Sequence, residues 1–401
     1  MRLIKVRALA GVLVVAGSVI SARAQKIYVA DNGTRSINSG WNVKVFENGV
    51  HKYIIGDNEG VTFSPRSVGY DSTGAVYVMH LSPTPSNINK IEKFSENADG
   101  TAAFAHSQVL TWHGGIGGIF SCVWGAAGSS QIDVDLSDDT VILSMGTGVW
   151  NTSCPSPGGR SGPYGNIVRF DGANPSVIDS KHTHAVAVQG LAWLNVSGAR
   201  TPQSPTMTID QSNGDVYVGS QWGDHALETT QAIERFSKDM VQLDFWDVND
   251  PARGVPGNVT NVVSKGLAVT SDGSVWFNDV TGGAGMGGWG HMGVIVKFDS
   301  TGQFVTRRSG TTVMSGTARN NFQWTGGMDV DEHDVLYYAD TDRVLALDGD
   351  TGDFIGFPLG DTTGQWDTNV YGPAAFSGAN GSLSQISIGP EPAVGTSFRI
   401  R

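Results

Sequence analysis

Four residues with chemistry to offer sit at matching places in the chain. Asp31, His80, Asp279 and Asp340 each close a short run of β-branched and aromatic residues, in "KIYVAD", "VYVMH", "SVWFND" and "VLYYAD". Three carboxylates and an imidazole gathered in one place would supply donors for a divalent cation, with calcium first among the candidates, or a general acid–base pair. An Asp at such a place also caps its own loop by accepting backbone N–H bonds, and that reading stands beside the first. His80 departs from the Asp that recurs there, which makes it the most telling of the four.

Other groups repay the same scrutiny. His182 and His184 in "KHTH" put two imidazoles on one side of a strand, which suits a metal, but the sequence assigns no third ligand. "DGDTGD" at 348–353 begins like a calcium loop yet lacks the closing Glu, so it reads as a turn. Gly283-Ala-Gly285-Met-Gly-Gly288 matches the G-x-G-x-x-G pattern of dinucleotide loops. That mechanism needs a helix after the glycines, to seat a pyrophosphate on its N-terminus, and "GVIVKFD" reads as a strand. No nucleophile elbow and no HExxH is present.

The elements that must position these residues recur down the chain. Each copy is a short strand ending in Asp, a turn rich in Ser, Asp and Gly, a strand rich in Val and aromatics, a loop, and a strand ending in a basic residue and Phe. The pattern appears in "SVGYDSTGAVYVMH…INKIEKF", "IDVDLSDDTVILSM…GNIVRF", "MTIDQSNGDVYVGS…AIERF", "LAVTSDGSVWFND…VIVKF" and "MDVDEHDVLYYAD…RVLAL". The turn residue falls at Asp71, Asp135, Asp210, Thr270 and Asp331, roughly 60 to 75 positions apart, a period that means a repeat array. The "KIYVAD…WNVKVF" segment supplies the second and third strands of a sixth copy, and "LSQISIGP" near the C-terminus supplies a first strand with nothing after it. Joining them completes the sixth copy and closes the array into a ring. A fourth, outer strand is expected near "KYIIG", "QVLTW", "SVIDS", "VQLDFWD", "FVTRRSG" and "FIGFPLG", with the Phe at 46, 94, 170, 236 and 298 and Leu347 as core between units.

This repeat resembles the NHL repeat and its relatives, through "DSTGAVYV", "SDGSVWFND" and "KFDSTG", across the whole of residues 25–401. The resemblance implies an all-β, six-bladed β-propeller closed by N- and C-terminal strands that share one blade. Relatives with this fold include gluconolactonase-type lactonases and streptogramin-lyase-type enzymes. The gluconolactonase-type metal set of one Glu, two Asn-type ligands and an Asp is not recognisable, since Asp31 or His80 stands where a Glu is expected.

The ring gives the remaining residues a map. The long connections from second to third strands all emerge on one face, where a hairpin would need only two to five residues. The glycine stretch is the loop of the fifth copy, and it places Trp289 and His291 over the mouth of the ring. Trp150 and Trp222 ride on loops of the same face, and exposed aromatic faces stack on sugars and anchor interfaces. Cys122 and Cys154, the only two cysteines, map to this face and are expected to form a disulfide.

Bulk properties bound the partners. The N-terminus has a basic start, an apolar run over 8–20 and Ala22-Arg-Ala24, which together read as a secretory signal peptide over 1–24. The product is expected outside the cytoplasm, secreted or periplasmic, with no membrane span and as a monomer. A formal charge of −12 argues against nucleic acid and anionic membranes. Two function classes follow: a propeller that binds a glycan, peptide, protein or small-molecule ligand through its long-loop face, and a metal-dependent hydrolase or lyase working at the channel mouth.

Overall fold

The computed structural model describes residues 26–32, 41–55, 65–80, 90–97, 101–109, 131–145, 166–171, 206–219, 232–239, 241–248, 250–255, 266–280, 293–309, 327–340, 343–359 and 383–389. In chain order the strands are β1 (Lys26–Asn32), β2 (Trp41–Glu47), β3 (Val50–Ile55), β4 (Pro65–Tyr70), β5 (Val76–His80), β6 (Lys90–Glu96), β7 (Ala102–Val109), β8 (Gln131–Asp135), β9 (Thr140–Met145), β10 (Asn166–Asp171), β11 (Thr206–Ile209) and β12 (Val216–Gly219). They continue as β13 (Ala232–Phe236), β14 (Gln242–Asp247), β15 (Leu267–Val269), β16 (Val275–Val280), β17 (Gly293–Phe298), β18 (Phe304–Ser309), β19 (Met328–Val330), β20 (Val335–Asp340), β21 (Arg343–Asp348), β22 (Phe354–Gly356) and β23 (Leu383–Ile388). A single 3₁₀ turn, Pro251–Arg253, is the only helical element among the described residues.

Neighbouring strands pair antiparallel in the order β4-β5-β6-β7, β11-β12-β13-β14, β15-β16-β17-β18 and β19-β20-β21-β22, with β8-β9-β10 as a sheet of three described strands. The sheet β23-β1-β2-β3 joins the two ends of the chain. Ile27 faces Ile388 and Ala30 faces Gln385 across its first ladder, as the split repeat requires. The first strand of each sheet touches the next, in the order β23, β4, β8, β11, β15, β19 and back to β23. Sheets that meet edge to centre around a closed circuit form a propeller. The outer strands fall where the sequence places them, apart from 176–180, which lies outside the described residues.

The alternating pattern inside each strand buries both faces, because each sheet is packed between two others. Phe46 packs with Tyr337, Ala339 and Val344 of the preceding sheet, and Phe94 packs with Tyr28, Val43 and Val45. Phe236, Phe298 and Leu347 repeat the contact at the next interfaces. Burying each such side chain contributes about 1.5–3 kcal/mol. The basic residue before the Phe has a structural role of its own. Lys93 lies 4.8 Å over the Tyr77 ring, Arg235 5.6 Å over Tyr217 and Lys297 5.8 Å over Trp276. The first two also reach an acid, Lys93 at 3.0 Å from Asp71 and Arg235 at 2.6 Å from Asp215.

The face opposite the long loops is built from tight turns. Asn48-Gly49 joins β2 to β3 with φ of 53° and 75°, the left-handed pair that a two-residue hairpin needs. At Asp71, one carboxylate oxygen accepts from the N–H of Thr73 and of Ala75 at 3.0 and 2.9 Å, closing its turn. Asp135, Asp210 and Asp331 do the same for theirs.

Candidate functional site

The register brings the sequence-selected strand ends to one end of the ring. Asp31 stands opposite Asn42 and Leu383, His80 opposite Pro65 and Lys90, Asp279 opposite Val294, and Asp340 opposite Arg343. Met145 opposite Asn166 and Gly219 opposite Thr206 complete the circuit. From these ends the chain leaves into 33–40, 81–89, 146–165, 220–231 and 281–292. The remaining connection differs from the expected pattern, because Asp340 and Arg343 are joined through 341–342 alone. The rim is therefore low at that sheet, where Arg343 is buried and its guanidinium lies 5.9 Å over the Phe357 ring.

For Asp31, His80, Asp279 and Asp340 the described structure is that of the backbone. Trp289, His291, Cys122 and Cys154 lie outside the described residues, as do His182 and His184. Among the described residues no group of three or more His, Cys, Asp or Glu is arranged to hold a metal. No helix among them is long and apolar enough to cross a membrane.

A second set of groups, which sequence reasoning passed over, lines the centre of the ring. Asp133 on β8 accepts from the N–H of Ile209, on the next inner strand, at 2.9 Å and from Val134 at 2.8 Å. Asp329 on β19 repeats the arrangement, accepting from Ile388 on the closing strand at 2.7 Å and from Val330 at 2.8 Å. Both keep a part-exposed edge toward the axis while the protein encloses them. Burial pushes the Asp133 carboxyl up to about 7 against the pull of its N–H bonds, with a further push from Asp135. Asp329 is raised further, first by burial and then by repulsion from Asp133. Tyr70 on β4, stacked on Tyr28 at 5.9 Å, feels both carboxylates. The signal in the sequence is the tripeptide Asp-Val-Asp, at 133–135 and again at 329–331.

Around these groups, other polar bonds stitch the inner strands together. The Ser67 hydroxyl accepts from Ile132 N–H at 2.8 Å, and the Gln131 amide oxygen accepts from Met207 N–H and the Thr206 hydroxyl, both at 2.6 Å. Gln211 accepts from Leu136 N–H at 3.0 Å and donates to the Val134 carbonyl at 2.9 Å.

The chain is a β-propeller. No family model matches it, and no curated protein matches it by sequence. Among solved structures it is similar to a gluconolactonase from Xanthomonas campestris, at 11% identity and a TM-score of 0.41, covering 86% of this chain and 84% of that one. It is also similar to the periplasmic gluconolactonase of Pseudomonas aeruginosa, at 11% and 0.43, covering 92% and 99%. Regucalcin from Agrobacterium tumefaciens, a calcium-binding protein, is similar at 14% and 0.35, covering 73% and 72%. Likenesses this distant carry no argument about activity, which has to come from the residues.

Proposed function

We propose that the long-loop end of the propeller is its working face and that it holds a divalent cation for work on a small oxygen-rich ligand, with hydrolysis of a lactone or ester as the reaction. The register of the strand ends supports this reading: the backbones of Asp31, His80, Asp279 and Asp340 stand at equivalent places at one end of the ring. Three carboxylates and one imidazole are a donor set that suits calcium or zinc. A bound ion would polarise a carbonyl or acidify a water. Lactone hydrolysis is the first activity to assay, because gluconolactonase is the name that two of the similar structures carry. We also infer that β8-β9-β10 is a sixth blade whose outer strand falls at 176–180, and that residues 1–24 direct the chain out of the cytoplasm.

The test is calorimetric titration with calcium and with zinc, and hydrolysis of glucono-1,5-lactone before and after chelation. The wild type is expected to bind one ion, with affinity at least tenfold weaker in Asp279→Ala and His80→Ala and with hydrolysis lost on chelation. Ion affinity unchanged in both variants would overturn the cation site. A second reading, capture of a glycan or peptide on loop tryptophans, draws on Trp150, Trp222 and Trp289, which belong to connections leaving the same strand ends. Glycan-array binding that is lost in Trp150→Ala and Trp222→Ala, with no lactone hydrolysis, would select it.

A further inference from the structure

The centre of the ring carries an arrangement that the working face does not explain. Counting from the turn residues Asp71, Asp135, Asp210, Thr270, Asp331 and Gly389, the position two residues earlier is Gly69, Asp133, Thr208, Ala268, Asp329 and Ser387. Only two of the six are carboxylates. In the circuit of inner strands, β8 and β19 stand three places apart, so Asp133 and Asp329 approach the axis from opposite sides at one level. Each spans a junction: Asp133 ties β8 to β11, and Asp329 ties β19 to β23, the strand that closes the ring.

The two carboxylates have no cation to balance them. Within their own strands and turns the charged neighbours are Asp135 on the β8 side and Asp331 and Glu332 on the β19 side. Of the strands packed against β8, β4 brings Tyr70 with Asp71 at its end, β11 is followed by Asp210, and β5 brings Tyr77 and His80. β9 has no charged residue. Of those packed against β19, β15 and β23 have no charged residue, and β20 brings Tyr337, Tyr338 and Asp340. N–H bonds favour the ionised form of each carboxyl; enclosure and mutual repulsion oppose it and win.

We propose that Asp133 and Asp329 are a pair of proton-bearing clasps on the propeller axis, with Asp329 fastening the closing strand, so that the ring is held most firmly when the pair is neutral and loosens when it ionises. A carboxyl raised above its unfolded value of about 3.9 adds stability that is fully present below that value and is lost as pH rises through the folded value. For Asp133 the loss runs from about pH 4 to 7, and for Asp329 it continues higher. Each proton kept by the fold and given up by the unfolded chain lowers the folding equilibrium constant about tenfold per pH unit. Asp71, Asp272, Asp299 and Asp348 are lowered in the fold, so their contribution changes only at more acid pH and leaves this window clear.

The experiment compares urea unfolding from pH 5 to 8 for the wild type, Asp133→Asn, Asp329→Asn and the double variant. Asparagine keeps a carbonyl to accept the cross-strand N–H and carries no charge. Wild-type stability should fall with pH by about tenfold per unit or more relative to the double variant, with each single variant in between. Amide exchange at Ile388, corrected for its intrinsic pH dependence, should quicken in the wild type across the same range and not in Asp329→Asn. Parallel pH curves for all four proteins would overturn the proposal. Should the variants fail to fold, infrared spectra of the wild type at pH 7 decide: a protonated-carboxyl band supports the pair, and its absence sinks it.

Discussion

Replacing Trp276 tests how the sheets interlock. The indole is fully buried at the junction of two sheets, against Met328, Leu336, Tyr338, Leu345 and Leu347 of the next one. Its Nε1–H donates to the Gly349 carbonyl at 2.7 Å. A Cβ added at Gly352 would stand 2.6 Å from the ring, so the turn of the next sheet lies flat on the indole. Trp276→Ala removes this packing, at about 3–5 kcal/mol, and strands a buried carbonyl, at about 1 kcal/mol more. Trp276→Phe keeps most of the contact and loses the bond, for about 1–3 kcal/mol. Urea unfolding followed by far-ultraviolet circular dichroism measures both, and an unchanged slope shows that the denatured state is the same. Because total stability is about 5–15 kcal/mol, the alanine variant sits near the limit of folding and the phenylalanine variant keeps the argument testable. A loss below about 1 kcal/mol in Trp276→Ala, or equal losses in the two, would refute the reasoning.

Two further outcomes are expected. Deleting 385–401 takes away most of β23, bares β1 as an edge and opens the ring, so the product should be insoluble or unfolded; a soluble truncation with native circular dichroism would show that β23 is dispensable. Asp71→Asn should cost about 2–3 kcal/mol at neutral pH, because the carboxylate accepts from Thr73, Ala75, Tyr77 and Lys93. Burial raises the Asp71 carboxyl, but bonds from Thr73, Lys93 and the Ala75 N–H outweigh it and leave it lowered. Its stabilisation is therefore present above about pH 4 and lost as pH falls through the folded value. The acid-unfolding midpoint of Asp71→Asn should shift less per unit of stability than that of the wild type, and identical acid profiles would remove the carboxylate from the account.

Much of this architecture was legible in the residues because its causes are local. Strands such as "AVYVMH" and "SVWFND" alternate with the period of a pleated sheet, and Asp-Ser-Thr-Gly and Ser-Asp-Gly close their own turns, so the repeat shows itself within a dozen residues. Phe46, Phe94, Phe236 and Phe298 were readable as core from the repeat alone, and the split copy announced that Ile386 and Ile388 would lie beside Ile27 and Val29. Equivalence within the repeat likewise put Asp31, His80, Asp279 and Asp340 at one end of the ring. The short 341–342 connection was not read, since a rim takes its height from loops of neighbouring sheets and no single copy records it. Nor was the axial pair. In Asp-Val-Asp the second residue closes a turn, and the first looks like an ordinary polar residue of a strand. Its partner is an N–H on the next inner strand, and its opposite number is a carboxylate from three sheets away. Only closure of the ring sets Asp133 and Asp329 level across one axis, with no cation between them, and from that closure comes the proton each is inferred to hold.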